Sequence, residues 1–497
     1  MSYLITGILI FISCCLIFLL SFHQYNKLKI SNAILLLILA GLILRVFTSC
    51  DFYLHLWDER FHALVAKNMI GHPFTPTLYD NPLLPFDYKQ WYANNVWLHK
   101  QPLPLWIMAA SMKIFGVNEL ALRLPGILFS TLGIYLTFKL GKYFFNEKTG
   151  FVAAFFFSIN GLIIEITAGR IATDHYDSYF LFFIELAIVF SINFSINKNW
   201  INNILAGLFV GFAILTKWLP GLIVLPIWII VIKDSGKFNF REGAAHFAIL
   251  LLVCATVFLP WQIYIYHFWP KEAEWEREFN NLHITEVLDN QGGPWFYFIE
   301  KLRINYGELI YIPLIWLTYH VIKYRRVNKK IALLIWIFVP ILFFSIVKTK
   351  MQGYILFTAP ALFIVSAEFI SKLSELNDGG WRRRGRLILI GLMVLLPLRY
   401  TIERTKIFNK VDRSPVWVTG LKELNERKIT RGVLFNYGKP IEAMFYTDFV
   451  VYPSLPDLNL VKALQVEGYT VIINDKGEIP VYLYSINGVI IEKILEP

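Results

Sequence analysis

The segment Trp57-Asp58-Glu59-Arg60-Phe61-His62 opens a helical-looking stretch with two adjacent carboxylates, inside a polar region flanked by long apolar runs. A carboxylate so placed can serve as general base toward an acceptor hydroxyl. The same acidic first turn would also favour a helix macrodipole with no chemistry attached. His62 follows Asp58 by four residues and shares its helix face, so a metal couple is a third reading. A divalent metal stays open on that pair alone, with no further ligand spacing to support a cofactor.

Cations complete the chemistry. His99-Lys100-Gln101-Pro102 brings an ammonium into the same region between Trp97 and Trp106, pinned by prolines. Arg123, Arg170, Lys217, Lys348 and Lys350 fall at the ends of apolar runs, where charge is costly and tends to mark sites. Asp174 follows Arg170 by four residues, which also suits a local ion pair, and Tyr354 adds a hydroxyl after Lys350. Lysines at such depths can instead snorkel to the interface. A set of cations beside a carboxylate pair suits an anion, phosphate being the natural one. The segment 267–303 is acidic and amphipathic, carries His283 and is hinged at Gly292-Gly293, as a lid, an acceptor platform or a plain helix pair would be.

What must position these groups is a membrane domain. The chain has 497 residues, 56% hydrophobic and only 17% charged, well below the charge of soluble domains. Apolar runs long enough to span occur near 3–21, 31–49, 119–141, 149–168, 176–196, 200–216, 218–233, 244–266, 304–322, 331–347, 353–373 and 386–402. The expectation is therefore a polytopic α-helical membrane protein with about twelve transmembrane helices. The run 102–115 is too short and reads as an interfacial helix, and 4–20 reads as an anchor rather than a cleaved leader. The net charge of +11 sits in short loops on one side of these runs, which is a topology signal and not a nucleic-acid surface. It places the 50–118 loop, the 267–303 segment and both termini outside. The four cysteines lack metal or disulfide spacing and read as packing residues. Domain boundaries are expected at 1–402 for the membrane part and 403–497 for a small extracytoplasmic α/β domain, from alternating β-like runs (GVLFNY, FVVYP, YTVIIND, GVIIEKIL) around a helix near 457–467.

Taken together these motifs resemble the GT-C class of polyprenyl-phosphate-dependent glycosyltransferases, in its protein O-mannosyltransferase and aminoarabinose (lipid A) transferase branch. Trp57 to Ala63 is similar to the acidic motif of that branch's first outer loop. Leu98-His99-Lys100-Gln101-Pro102-Leu103 resembles its Phe-Glu-Lys-Pro-Pro-Leu stretch, with His99 in place of Glu. Phe115-Gly116, Glu119, Arg123, Pro125, Arg170 with Asp174, Lys217, and Lys348-Thr349-Lys350 with Tyr354 follow in the family's order. His283 lies near where the branch often has an Arg, and two spans precede the catalytic loop where it commonly has one. The resemblance implies a sugar donor linked through phosphate to a polyprenol and a lipid, glycan or protein acceptor, in a bacterial inner membrane with the site facing the periplasm. It implies Asp58, Glu59 and Asp174 as catalytic, with Lys100, Lys350 and Tyr354 on the leaving phosphate and the other cations and histidines in substrate contact. A transporter or flippase is the competing class, since intramembrane charge also suits transport; a non-catalytic scaffold would leave that charge unexplained.

Overall fold

The structure is a computed structural model that describes every residue except 1, 172–174, 325–327, 378 and 428. Among the described residues nine helices are long and apolar enough to cross a membrane: Tyr3–Asn26, Ile30–Ser49, Glu119–Phe144, Asp177–Asn197, Trp200–Lys217, Phe240–Phe268, Lys329–Ile346, Gln352–Glu375 and Gly380–Thr405. The pair Glu147–Ile159 and Gly161–Thr167, bent by 50°, makes a tenth if it is one span. The chain is thus a multi-pass integral membrane protein, and among the described residues nine or ten continuous helices stand where about twelve spans were expected.

The difference lies at 218–233 and 304–322. There the α-helices are only Val224–Ser235 and Tyr311–Lys323, each preceded by a 3-10 turn, Leu219–Ile223 and Glu308–Ile310. Trp218 at φ 63° and Gly307 at φ 97° break the chain just before those turns. A 3-10 turn rises more steeply than α-helix, so each composite still reaches roughly 25–28 Å. Pro102–Phe115 is a 14-residue helix, about 21 Å long and too short to cross.

Local chemistry sets the ends of these helices. Asn146, Asn160, Asn199 and Asn239 each accept from a first-turn N–H, and Asn239 forms a full capping box with Glu242. Gly207 and Gly211 let Trp200–Lys217 approach Phe240–Phe268 closely: a Cβ at Gly207 would lie 2.7 Å from the Leu250 carbonyl oxygen. The bend at Asn160 exposes the carbonyls that end Glu147–Ile159, and an arginine answers them. Arg45, fully buried, donates to Ser130 Oγ at 2.8 Å, to the Ser158 carbonyl at 3.2 Å and to the Phe157 carbonyl at 3.4 Å. Backbone groups at membrane depth must find such partners within the protein.

The chain divides into two compact units. One comprises Met1–Ser49, Lys100–Pro104 and Arg123–Lys410; the other Cys50–His99, Leu105–Leu122 and Val411–Pro497. The second contains a parallel four-stranded sheet of β1 (Gly432–Phe435), β2 (Val450–Val451), β3 (Thr470–Asn474) and β4 (Ile490–Glu492), in the order β2-β1-β3-β4. The unbroken burial of β1 and of Val471–Asn474 in β3 is what a parallel strand covered on both faces requires. These strands and the helix Leu458–Val466 realise the α/β module expected after the last span. Within this unit Asp58–Asn68 packs on the helix Pro440–Tyr446. Lys67 at its end donates to the Met444, Phe445 and Thr447 carbonyls at 2.9, 3.2 and 2.7 Å, placing a cation on that helix's C-terminal turn.

Candidate active site

The carboxylate half lies in the second unit. Asp58 and Glu59 open the helix Asp58–Asn68, but the chain before them fixes different fates for the two. Asp51, His55 and Glu59 recur every four residues, and His55 bridges the two carboxylates. Its Nδ1 and backbone N–H meet Glu59 Oε2 at 2.8 and 2.7 Å, and its Nε2 meets Asp51 Oδ2 at 3.1 Å. Arg413 donates to the other Asp51 oxygen at 3.0 Å, and its carbonyl accepts from the Phe52 N–H at 2.7 Å. Glu59 is 2% exposed and Asp51 0%, so this row is a buried clamp. Asp58, the other member of the pair, is half-buried. Trp57 immediately before it holds φ 72° and ψ −137° without being glycine. Strain of this kind persists where the surroundings impose it, commonly at functional sites. The clamp thus fixes Glu59 on its hydrogen-bond partners, while Asp58 directly follows the residue in positive φ.

An aromatic box stands beside the clamp. The His99 ring stacks on Trp91 at 4.6 Å and leans on Trp97 at 5.7 Å, while His62, fully buried, meets Trp97 edge-on at 5.8 Å. Trp97 Nε1 donates to the Trp91 carbonyl at 2.8 Å, which locks the box. Among the described residues no cluster of three His, Cys, Asp or Glu side chains is placed to hold a metal ion. In the Asp51–His55–Glu59 row the carboxylates occupy opposite sides of one ring, so they cannot share an ion.

The cation half lies in the first unit, and one segment organises it. Val347 to Met351 lies between two spans and is stitched to the last turn of Pro270–Thr285 and to the connection after it. The backbone N–H groups of Lys348, Thr349 and Lys350 donate to the Ile284, His283 and Gln291 carbonyls at 3.2, 3.0 and 2.7 Å. Thr349 Oγ1 also takes the Leu288 N–H at 3.0 Å and donates to the Glu286 carbonyl at 2.8 Å. The segment 267–303 is thus a helix pair, Pro270–Thr285 and Tyr297–Tyr306, whose connection fixes the cationic segment. His283 is brought to Thr349 through its backbone, with its ring Nδ1 on the Phe279 carbonyl at 2.9 Å. Lys348 is exposed and Lys350 only 3% so. Burial, and then the neighbouring Lys348 charge, push the Lys350 ammonium below the usual lysine range.

The other expected cations are distributed around this unit. Lys217 is paired with Asp177 and lies 4.9 Å over the Tyr354 ring, so its charge is already balanced and it orients the tyrosine. Arg170 donates to the Thr405 carbonyl at 3.1 Å, and the buried Arg123 to the Ser49 carbonyl at 2.9 Å. Lys100 is half-buried, and the adjacent Gln101 meets Gln262 at 3.2 Å. Asp174 lies outside the described residues. Sequence reasoning missed Asn305, which is buried and accepts from both Gln352 and Arg404. Arg404 in turn pairs with Glu165, tying the start of the Gln352 turn to the end of Gly161–Thr167. The four-residue rhythm of Asp51, His55 and Glu59 was a visible signal for the clamp; nothing local pointed to Arg413 or Asn305.

Residues 99–264 match the family model described as dolichyl-phosphate-mannose-protein mannosyltransferase. An uncharacterized protein of Aquifex aeolicus (strain VF5) is 27% identical over 356 residues, 69% of this chain and 63% of that one. The undecaprenyl phosphate-alpha-4-amino-4-deoxy-L-arabinose arabinosyl transferase 2 of Pseudomonas fluorescens (strain Pf0-1) is 25% identical over 344 residues, 66% of this chain and 60% of its own. The chain thus spans less than two thirds of the length of these relatives. Among solved structures, ArnT from Cupriavidus metallidurans bound to undecaprenyl phosphate superposes with a TM-score of 0.63 at 15% identity, covering 87% of this chain and 88% of that one. The archaeal oligosaccharyltransferase AglB from Archaeoglobus fulgidus gives 0.52 at 14% identity, covering 84% and 64%. The chain is thus similar in sequence to that mannosyltransferase family over residues 99–264, and shares the fold of the ArnT structure over most of its length.

Proposed function

We propose that this protein is a membrane glycosyltransferase. It moves a sugar from a polyprenyl-phosphate donor to a hydroxyl of a lipid, glycan or protein acceptor, at the periplasmic face of a bacterial inner membrane. The observation that carries the reading is the split of the carboxylate pair: Glu59 is spent in a buried clamp while Asp58 is half-buried behind a strained Trp57. Asp58 takes the acceptor proton as the acceptor oxygen bonds the anomeric carbon. The bond from that carbon to the phosphate oxygen breaks with inversion, and polyprenyl phosphate leaves. Lys100, Lys350 and Tyr354 hold that phosphate, where cationic and hydroxyl donors stabilise the growing charge; Arg170 and Arg123 add positive potential, and Asp174 is a further catalytic candidate by family resemblance. Support comes from relatives named as arabinosyl transferases and from a fold neighbour solved with undecaprenyl phosphate. A transport reading gains nothing from the broken span, since its freed carbonyls are taken by Arg45 rather than lining a path.

The test is a transfer assay in nanodiscs with a panel of polyprenyl-phosphate sugars and membrane-derived acceptors, scoring released polyprenyl phosphate. Asp58→Asn is expected to lower turnover roughly 10²–10⁴-fold, the usual worth of a positioned base. Lys100→Ala should lower it about 10²-fold or more. Full turnover in a folded Asp58→Asn protein would overturn the assignment of the base, and no release from any donor would overturn the enzyme reading.

A further inference from the structure

An apolar cavity of about 330 Å³ lies within the first unit, between the first helix and the last. Phe11, Cys15, Phe18 and Phe22 line it from Tyr3–Asn26, at a spacing that forms one continuous stripe. Thr401 and Thr405 face it from Gly380–Thr405. Both threonine hydroxyls are already spent on backbone carbonyls, Thr401 on Ile159 and Pro397 and Thr405 on Thr401. Water gains little on so apolar a lining, and a groove of this size left without an apolar occupant forfeits dispersion contacts along its walls.

Length identifies what fills it. From Phe11 to Phe22 the groove runs about 16 Å along the helix, roughly half the hydrocarbon thickness of a bilayer. That is the reach of one leaflet's acyl chain and far short of a polyprenol. One end is formed by the edge-to-face cluster of Phe18, Phe22 and Phe155, with centroids 5.2–5.4 Å apart. The other is the terminus of Gly380–Thr405, where charge supplies the second criterion. Arg170 donates to the Thr405 carbonyl, and Lys406 and Lys410 stand exposed just beyond it. Of the acids nearby, Glu165 pairs with Arg404 and Glu403 with Arg399, and Asp412 beyond Lys410 accepts the Ser414 N–H, which leaves three cations against one acid. We propose that the groove between the first and last spanning helices binds one acyl chain of an anionic phospholipid, its headgroup phosphate at the Arg170–Lys406–Lys410 end. The groove is lined by none of the residues assigned to the donor, and only Arg170 at its charged end is shared with that reading.

The experiment uses delipidated full-length protein in detergent and native mass spectrometry, with phosphatidylglycerol, phosphatidylcholine and a polyprenyl phosphate added in turn. Wild type is expected to retain phosphatidylglycerol over phosphatidylcholine. Cys15→Trp, which fills the groove, should lose that adduct, and Lys406→Gln should weaken it. In parallel, a phosphatidylglycerol carrying a diazirine in one acyl chain should crosslink to peptides containing Phe18 and Phe155, a readout that needs no variant. Equal retention of the two phospholipids, an undiminished adduct in folded Cys15→Trp, displacement by polyprenyl phosphate, or crosslinks confined to other helices would each overturn the proposal.

Discussion

Replacing Glu59 tests whether the acidic pair is one functional unit or two parts with separate tasks. Its Oε2 receives two hydrogen bonds from His55, at 2.7 and 2.8 Å, in a place where Glu59 is 2% and His55 8% exposed. Hydrogen bonds to a charged group contribute about 1.5–3 kcal/mol each, and a buried donor left without an acceptor adds its own desolvation cost. Glu59→Ala removes both bonds and strands the His55 backbone N–H, so a loss of about 3–5 kcal/mol is expected. Glu59→Gln keeps one acceptor oxygen for that N–H and should cost only about 1–2 kcal/mol. Asp58→Asn keeps the size and one acceptor oxygen of a half-buried side chain and should cost about 1 kcal/mol or less. Thermal unfolding in detergent, run beside release of polyprenyl phosphate, separates the effects. Glu59→Ala should lower both the melting temperature and turnover; Asp58→Asn should lower turnover alone. An unchanged melt for Glu59→Ala would refute the buried clamp. Lost turnover at an unchanged melt for Glu59→Gln, with Asp58→Asn still active, would reverse the two roles.

Two further outcomes follow from the first unit. In the proposed role Lys350 would grip a phosphate only as an ammonium, and burial holds its pKa below the usual lysine value of 10.5. Donor KM should therefore begin to rise on the alkaline side before that value, and Lys350→Arg, charged throughout, should remove that limb; an identical alkaline limb in the variant would exclude Lys350 as its source. The stability sign is opposite. Between the lowered folded pKa and 10.5 the unfolded chain binds more protons, so the Lys350 contribution to stability rises with pH as grip on the donor falls. Arg45→Leu abandons two hydrogen bonds to the carbonyls at the bend between Glu147–Ile159 and Gly161–Thr167 and a third to Ser130 Oγ. At about 0.6–2 kcal/mol each in a membrane, it should lower the midpoint of detergent unfolding by the equivalent of about 2–5 kcal/mol; an unaltered midpoint would mean that the bend does not depend on the arginine.

How far the sequence was legible depended on the range over which each feature is specified. The spans followed from runs of about twenty apolar residues, and the α/β module from β-branched runs, because both are local. At 218–233 and 304–322 the spans are not continuous α-helices, because hydropathy does not distinguish a long α-helix from a 3-10 turn joined to a short one. There Trp218 and Gly307, in positive φ, decide the outcome. The site shows the same division. Asp58 and Glu59 are equivalent in sequence, and what separates them is His55 four residues upstream, itself fixed by Asp51, which Arg413 reaches across 362 positions of chain. Lys217 looked like Lys350 until Asp177 was found against it. Charge type and depth can be read from one strand of sequence, but whether a charge is spent or available depends on its counter-ion, and at membrane depth that partner is supplied by another helix. A residue such as Asn305, whose use is to join Gln352 and Arg404, accordingly has no signature of its own. Its position on the page becomes informative only after the three helices that meet there have been placed.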